Sequence, residues 1–273
     1  MIAFFIAAMT LTTPLSAQDR TYELSVDDNN EVISVWEAEG EPKGAILFGH
    51  GWGAEPALYD RLFDGWTKLG FTVEAPLNLD SEVHPRHQAL PPEGFPRSQA
   101  IIGQRMRTLM ELRNAASKRG RPVVLAGHSF GSFVATTQGE GKWAFGPIEG
   151  PRPVAILAFS SPGIIPMLVP ESAYETLDLP FMMVTGTKDA TGTSMPTWEA
   201  HRLAFDRSIK GDKYLVVVEG GGHNLAALAE GTPAEAIVEW SGRFLSAYAF
   251  NNEAAKTSLT SSDGEGRIAI ERR

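Results

Sequence analysis

The chain has 273 residues, 43% hydrophobic and 21% charged, enough for one large domain with a substantial core or two small ones. Its formal net charge of −9 argues against a nucleic-acid surface or an anionic membrane as its partner. It contains no cysteine, which excludes disulfides, thiolate catalysis, Cys-ligated zinc and a lipid-modified N-terminal cysteine.

The first charged side chain is Asp19. Met1 to Met9 is almost wholly apolar, and Leu15-Ser16-Ala17 supplies a small-residue cleavage site. Residues 1–17 therefore read as a secretory signal, too short to span a bilayer, and predict an exported protein, periplasmic or secreted. The segment has no Lys or Arg, which leaves a buried N-terminal segment, an uncleaved anchor or a cytoplasmic protein as alternatives.

Residues 18–250 read as a single domain. Tyr22 to Val26 and Val32 to Trp36 alternate around Asp27-Asp28-Asn29-Asn30, which predicts an antiparallel hairpin at a sheet edge. From residue 45 the pattern changes to continuous apolar runs: 45–48, 71–73, 123–126, 154–159, 181–184 and 215–218. Such runs are strands buried on both faces, the mark of a parallel sheet covered by helices. Between them, Leu58, Leu62, Trp66 and Leu69 share one helical face. A longer helix starts near Ser98, turns Ile102, Met106, Leu109 and Leu112 inward, and ends at Gly120. Residues 196–208 read as helical around Trp198 and Phe205. The last clear helix opens on a capping box, Thr232-Pro233-Ala234-Glu235, with proline at its first position, and buries Ile237, Trp240, Phe244 and Tyr248. Strands alternating with helices predict an α/β doubly wound sheet. Residues 251–273 read as a polar tail, flexible at least to Gly266, although residues 267–270 could add an edge strand.

The chain is organised around Ala126-Gly127-His128-Ser129-Phe130-Gly131, which has a β-branched run before it and an apolar helical run after it. Glycines two residues either side of Ser129 permit a strained turn that holds the serine above the end of a sheet. A serine hydroxyl is a weak nucleophile near neutral pH; it needs a base, and the base needs an orienting partner. In an open parallel sheet both come from loops at the carboxyl ends of strands. His223 follows Leu215 to Glu219 through three glycines. Asp189 follows Phe181 to Val184 through Thr185-Gly186-Thr187-Lys188. His201, His84 and His87 are rival bases, and Asp178 and Glu219 rival carboxylates. His50-Gly51-Trp52-Gly53 follows a third strand; the Trp52 amide, with that of Phe130, would supply the N–H donors an oxyanion needs.

HGWG, then GHSFG, then Asp, then His is the chain order of α/β-hydrolases. Over residues 43–248 the sequence resembles the dienelactone-hydrolase-like and lipase/cutinase-like serine esterases. The resemblance implies Ser129 as nucleophile, His223 as base, Asp189 as orienter, and Trp52 and Phe130 as oxyanion donors. It implies a mostly parallel central sheet with helices on both faces, and a carboxylic ester hydrolase acting through an acyl-enzyme with no cofactor. A serine where true dienelactone hydrolases have cysteine turns the expectation away from that reaction, and Gly139 and Gly141 make the helix after the elbow short.

Only about twenty residues, Ser160 to Pro180, follow the strand after the elbow, so a small flap is expected and no large cap domain. Its Ile164, Ile165, Met167, Leu168 and Val169 either wall an apolar acyl or alcohol pocket or pack on the core. In the loop from Pro76 to Pro96, His84, Arg86 and His87, with Arg97, either meet a substrate anion or are solvated. His84 and His87 alone make no metal site. The expected partner is a small-molecule or lipid-like ester. A peptidase or amidase with the same triad and a catalytically silent binding protein are the alternatives.

Overall fold

Asp27 and Asp28 turn the chain tightly, Asp27 at φ 51°, and pair β1 (Arg20–Val26) with β2 (Asn29–Trp36) in antiparallel register, Val26 opposite Asn29. The structure is a computed structural model that describes residues 20–139, 141, 143, 148–192 and 195–273. Residues 1–17, read as a signal, lie outside the described residues. Along the chain follow β3 (Gly44–Gly49), α1 (Asp60–Thr67), β4 (Phe71–Pro76), α2 (Phe95–Ser117), β5 (Val123–His128), α3 (Phe130–Thr137) and β6 (Ala155–Phe159). Then come β7 (Phe181–Lys188), α4 (Leu203–Arg207), β8 (Lys213–Gly222), α5 (Ala234–Ala249), α6 (Glu253–Ser261) and β9 (Ile268–Arg272). The strands form one sheet in the order β1-β2-β4-β3-β5-β6-β7-β8-β9. The six from β4 to β8 are parallel, and β1, β2 and β9 are antiparallel additions at the two edges. This is the architecture the apolar runs and the hairpin predict.

The continuous apolar runs are explained by the two faces of the sheet. Ile46, Phe48, Val124, Ala126, Leu157 and Val216 face one core, closed by α1, α5 and α6. The alternate residues Leu47, Val123, Leu125, Ile156, Met183 and Leu215 face the other, under α2, α3 and α4. A strand with helices on both sides has no polar face to show.

The helices depart from the expected pattern in instructive places. Leu58 lies in a 3-10 turn ahead of α1 and is exposed, while Leu62 and Trp66 are buried. In α2 the buried face is turned from the predicted one. Arg105 and Arg113 are 2% and 1% exposed, beside Leu109 and Leu112, while Ile102 and Met106 are only half-buried. Each arginine is inside because it has acceptors there; Arg113 donates to the main-chain oxygens of Gln138 and Glu149 at 2.6 and 2.7 Å. At α5 the expected capping box does not form. Thr232 Oγ1 donates back to the Ala229 carbonyl, and Pro233 stands at the cap rather than in the first turn.

The polar tail is a correction. Asn252 caps α6, accepting from the Ala255 N–H at 3.1 Å, and β9 pairs with β8 from Tyr214↔Arg272 to Val218↔Ile268. The three large apolar residues Leu259, Ile268 and Ile270 are all buried. Burial of about 1.5–3 kcal/mol each offsets the ordering of an otherwise polar segment. The loop after β4 is likewise structured: Glu31, 2% exposed, takes Arg86 as its partner, and His84 Nε2 lies 3.6 Å from it. His87 Nδ1 donates to the Leu79 carbonyl at 3.0 Å, and Arg97 lies against its Nε2 at 3.3 Å. Arg86 and His84 hold the loop to β2, and His87 ties it to itself and to Arg97 of α2, a use that neither a substrate anion nor solvation describes. No helix among the described residues is long and apolar enough to cross a membrane.

Candidate active site

Ser129 caps α3 with φ 52° and ψ −121°, a left-handed conformation for a residue with a Cβ. The turn is possible because its flanks are bare. A Cβ on Gly131 would stand 2.0 Å from the Gly49 carbonyl oxygen, and one on Gly127 2.4 Å from the Gly131 carbonyl carbon. The strain is held by the Ser129 N–H donating to the Phe159 carbonyl at 2.8 Å and by Ser132 N and Oγ donating to the Ser129 carbonyl at 3.0 and 2.7 Å.

His223 and Asp189 meet Ser129 through sheet pairing. β7 and β8 run side by side to Lys188↔Gly222, past a register shift at Gly186, so the next residues of both strands leave the same end together. The expected glycine loop is the end of β8 itself. His223 Nε2 lies 2.9 Å from Ser129 Oγ, and its Nδ1 lies 2.8 Å from Asp189 Oδ1. Asp189 is fully buried, and its Oδ2 accepts from Thr185 Oγ1 at 2.8 Å. Burial pushes its carboxyl up, but contacts with His201 and His223 outweigh that and hold it well below the usual carboxylate range. Of the rival carboxylates, Asp178 precedes β7 at the opposite end of the strand and pairs with Arg152, and Glu219 is exposed.

Trp52 lies in a clamped loop. Arg105 donates Nε and Nη2 to the two Asp80 oxygens at 2.8 and 2.7 Å, Nη1 to the His50 carbonyl at 2.6 Å, and Nη2 to the Gly51 carbonyl at 2.9 Å. Asp80 also accepts from the Gly53 N–H at 2.6 Å, and the Gly51 N–H donates to Tyr59 Oη at 3.1 Å. The amides either side of Trp52 are thus both held. The Trp52 indole meets the Phe130 ring edge-on at 5.2 Å, and the Phe130 N–H lies in the first turn of α3, where no helical carbonyl precedes it.

Two neutral histidines tie this loop to the site. Burial, and then the Arg105 charge, lower His50 to about 3; its Nδ1–H donates to the Gly51 carbonyl at 2.8 Å and its Nε2 accepts from the Asn78 N–H at 3.0 Å. Burial, and then His223, lower His128 to about 4. His128 Nε2 lies 2.7 Å from the His223 carbonyl, which can only accept, so the proton is on Nε2 and Nδ1 accepts from Tyr59 Oη at 2.9 Å. The His223 main chain, the residue before the serine and the Gly51 amide are joined in one chain. Sequence reading missed Arg105, Asp80, Tyr59 and His128 as parts of the site, and placed His201 among rival bases.

The flap divides between its two expected roles. Val169 is buried, Ile165 and Leu168 are half-buried against the core, and Ile164 and Met167 are 50% and 82% exposed. Between the flap and α2 lies a groove of about 830 Å³ walled by Phe95, Ile102, Met106, Met110, Met167 and Leu168. Its α2 wall packs on α3, the Met106 carbonyl accepting from Gln138 Nε2 at 2.8 Å. Asp189, His201 and His223 bring donor atoms within 4.8 Å of one another, near enough to hold a cation, but His223 Nδ1 and His201 Nε2 are both turned on Asp189 Oδ1.

No protein family and no curated protein matches the chain by sequence. Its fold matches solved structures at full probability. Esterase 2 of Thermogutta terrifontis aligns with TM-score 0.64 and 16% identity over 85% of this chain and 95% of that one. A monoglyceride lipase of Saccharomyces cerevisiae aligns at 0.62 and 12% over 86% and 98%. A dienelactone hydrolase of Anabaena variabilis aligns at 0.60 and 16% over 85% and 99%. The chain has the α/β-hydrolase fold.

Proposed function

We propose that the protein is a serine hydrolase that cleaves carboxylic esters through an acyl-enzyme. The observation that carries the reading is the chain Ser129 Oγ, His223, Asp189 at 2.9 and 2.8 Å, set on a serine at φ 52°. His223 Nε2 takes the hydroxyl proton as Oγ attacks the ester carbonyl. Asp189, ionised throughout, holds the Nδ1 tautomer and stabilises the imidazolium. The N–H groups of Trp52 and Phe130 receive the oxyanion, and the clamp on residues 50–53 sets the first of them in place before substrate arrives. Collapse expels the alcohol, which takes the proton from His223; water then repeats the sequence on the acyl-enzyme.

Structural neighbours named as esterases and lipases support the ester class. The apolar N-terminal segment supports export as the address of this activity. A panel of p-nitrophenyl esters of increasing chain length beside the matching p-nitroanilides tests the reading. We expect ester turnover whose kcat/KM rises by up to about fourfold for each acyl methylene the site buries. Anilide turnover equal to ester turnover would replace the esterase by an amidase.

A further inference from the structure

We propose that His201 is a positioning residue of this site, a buried imidazolium on the far flank of Asp189 that fixes the carboxylate and shares its charge with His223. The inference rests on the triad reading above. His201 lies in the 3-10 turn Trp198–Arg202 ahead of α4 and is 1% exposed. Its Nδ1 is 2.8 Å from the Ser161 carbonyl oxygen, and a carbonyl only accepts, so Nδ1 carries a proton. Its Nε2 is 3.1 Å from Asp189 Oδ1, the same oxygen that faces His223 Nδ1 at 2.8 Å. A bare Nε2 would turn its lone pair on a buried carboxylate. A protonated one makes an ion pair, and because the contact lies off the hydrogen-bond axis, charge rather than alignment holds it.

The surroundings agree. Asp189 at the end of β7, His223 at the end of β8 (ring centres 5.7 Å apart) and neutral His128 at the end of β5 are the titratable groups around His201. On its own turn Glu199 is exposed, and Arg202 is taken by Asp206 and Glu271. Burial opposes a charge on His201, but its contacts with Asp189 outweigh burial and raise its pKa. Asp189 thereby has both oxygens occupied, Oδ1 by two imidazoles and Oδ2 by Thr185, so the carboxylate cannot rotate away from His223. The second cation stands across Asp189 from the base, ring centres 5.7 Å apart, so its charge acts on the proton that the base takes up.

His201→Gln keeps an N–H donor and removes the charge. A unit charge at this range moves a neighbour by about one pH unit or more, so the acidic limb of kcat/KM should move up by about one unit, with the alkaline plateau far less changed. A purely structural role would lower the plateau and leave the limb in place, and that result would overturn the proposal. Because its folded pKa is raised, the ion pair stabilises the fold fully below about pH 6.5 and less as pH rises through the folded value, so the Tm gap to wild type should narrow with rising pH. Should the variant not fold, ring-15N spectra of the wild-type protein decide. A buried histidine with both nitrogens protonated near neutral pH upholds the proposal; only neutral histidines there would overturn it. Ester turnover surviving in Ser129→Ala would instead defeat the triad reading, and the 15N result would still report on His201.

Discussion

Replacing Ser129 by alanine should lower kcat/KM for ester substrates by at least about 10⁴-fold while leaving Tm within a degree or two. The serine hydroxyl is the only group of the proposed triad that forms a bond to substrate, so its loss removes the acyl-enzyme route altogether. Residual rate would come from the clamped amides acting on water, which is why the expected loss is large and finite. The fold should not suffer. The strain at φ 52° is borne by the main chain and by Gly127 and Gly131, and alanine occupies the same backbone with one atom fewer. A large fall in Tm would show that the hydroxyl is structural and would remove the support for calling it the nucleophile.

Arg105→Met should cost about 3–5 kcal/mol of stability, because it leaves Asp80 buried and charged beside main-chain carbonyls that lose their donor. For a chain of this size that is a Tm loss of roughly 6–20 °C. Activity should fall too, by about 10²–10³ in kcat if the loop drifts enough to lose one oxyanion donor. The two effects can be separated with the double variant Arg105→Met, Asp80→Leu. Removing both charges should return much of the stability, since a buried pair replaced by apolar groups is often neutral. It should not return kcat, because the Gly53 N–H and the His50 carbonyl stay unheld and the Gly51 carbonyl keeps only the His50 Nδ1–H. Recovery of both would show that Arg105 acts on stability alone.

The parts of the site legible in the sequence share a local signature: Ser129, Asp189, His223 and Trp52 each follow an apolar run closely, and in a parallel sheet such positions converge at one end. The parts that were hidden are buried polar groups. Arg105 and Arg113 lie on the inward face of α2, where an apolar periodicity assigns the interior to Ile102 and Met106 and the arginines to solvent. Their partners, Asp80 and four main-chain carbonyl groups, are distant in sequence or carry no side-chain signal. A helical pattern over residues 196–208 does not show His201 reaching the site; the turn before α4 is what carries it onto Asp189. The tail was misread because composition averages over residues; three well-placed apolar side chains are enough to dock α6 and β9.

An activated Ser129 should react covalently with an electrophile that ordinary serines ignore. The folded wild-type protein is treated with a fluorophosphonate near neutral pH, and the adduct is located by mass spectrometry of the digested chain. One adduct per chain is expected on Ser129, formed in step with loss of ester turnover and absent in His223→Gln. A folded protein that remains unlabelled, or one labelled elsewhere with turnover intact, would contradict it.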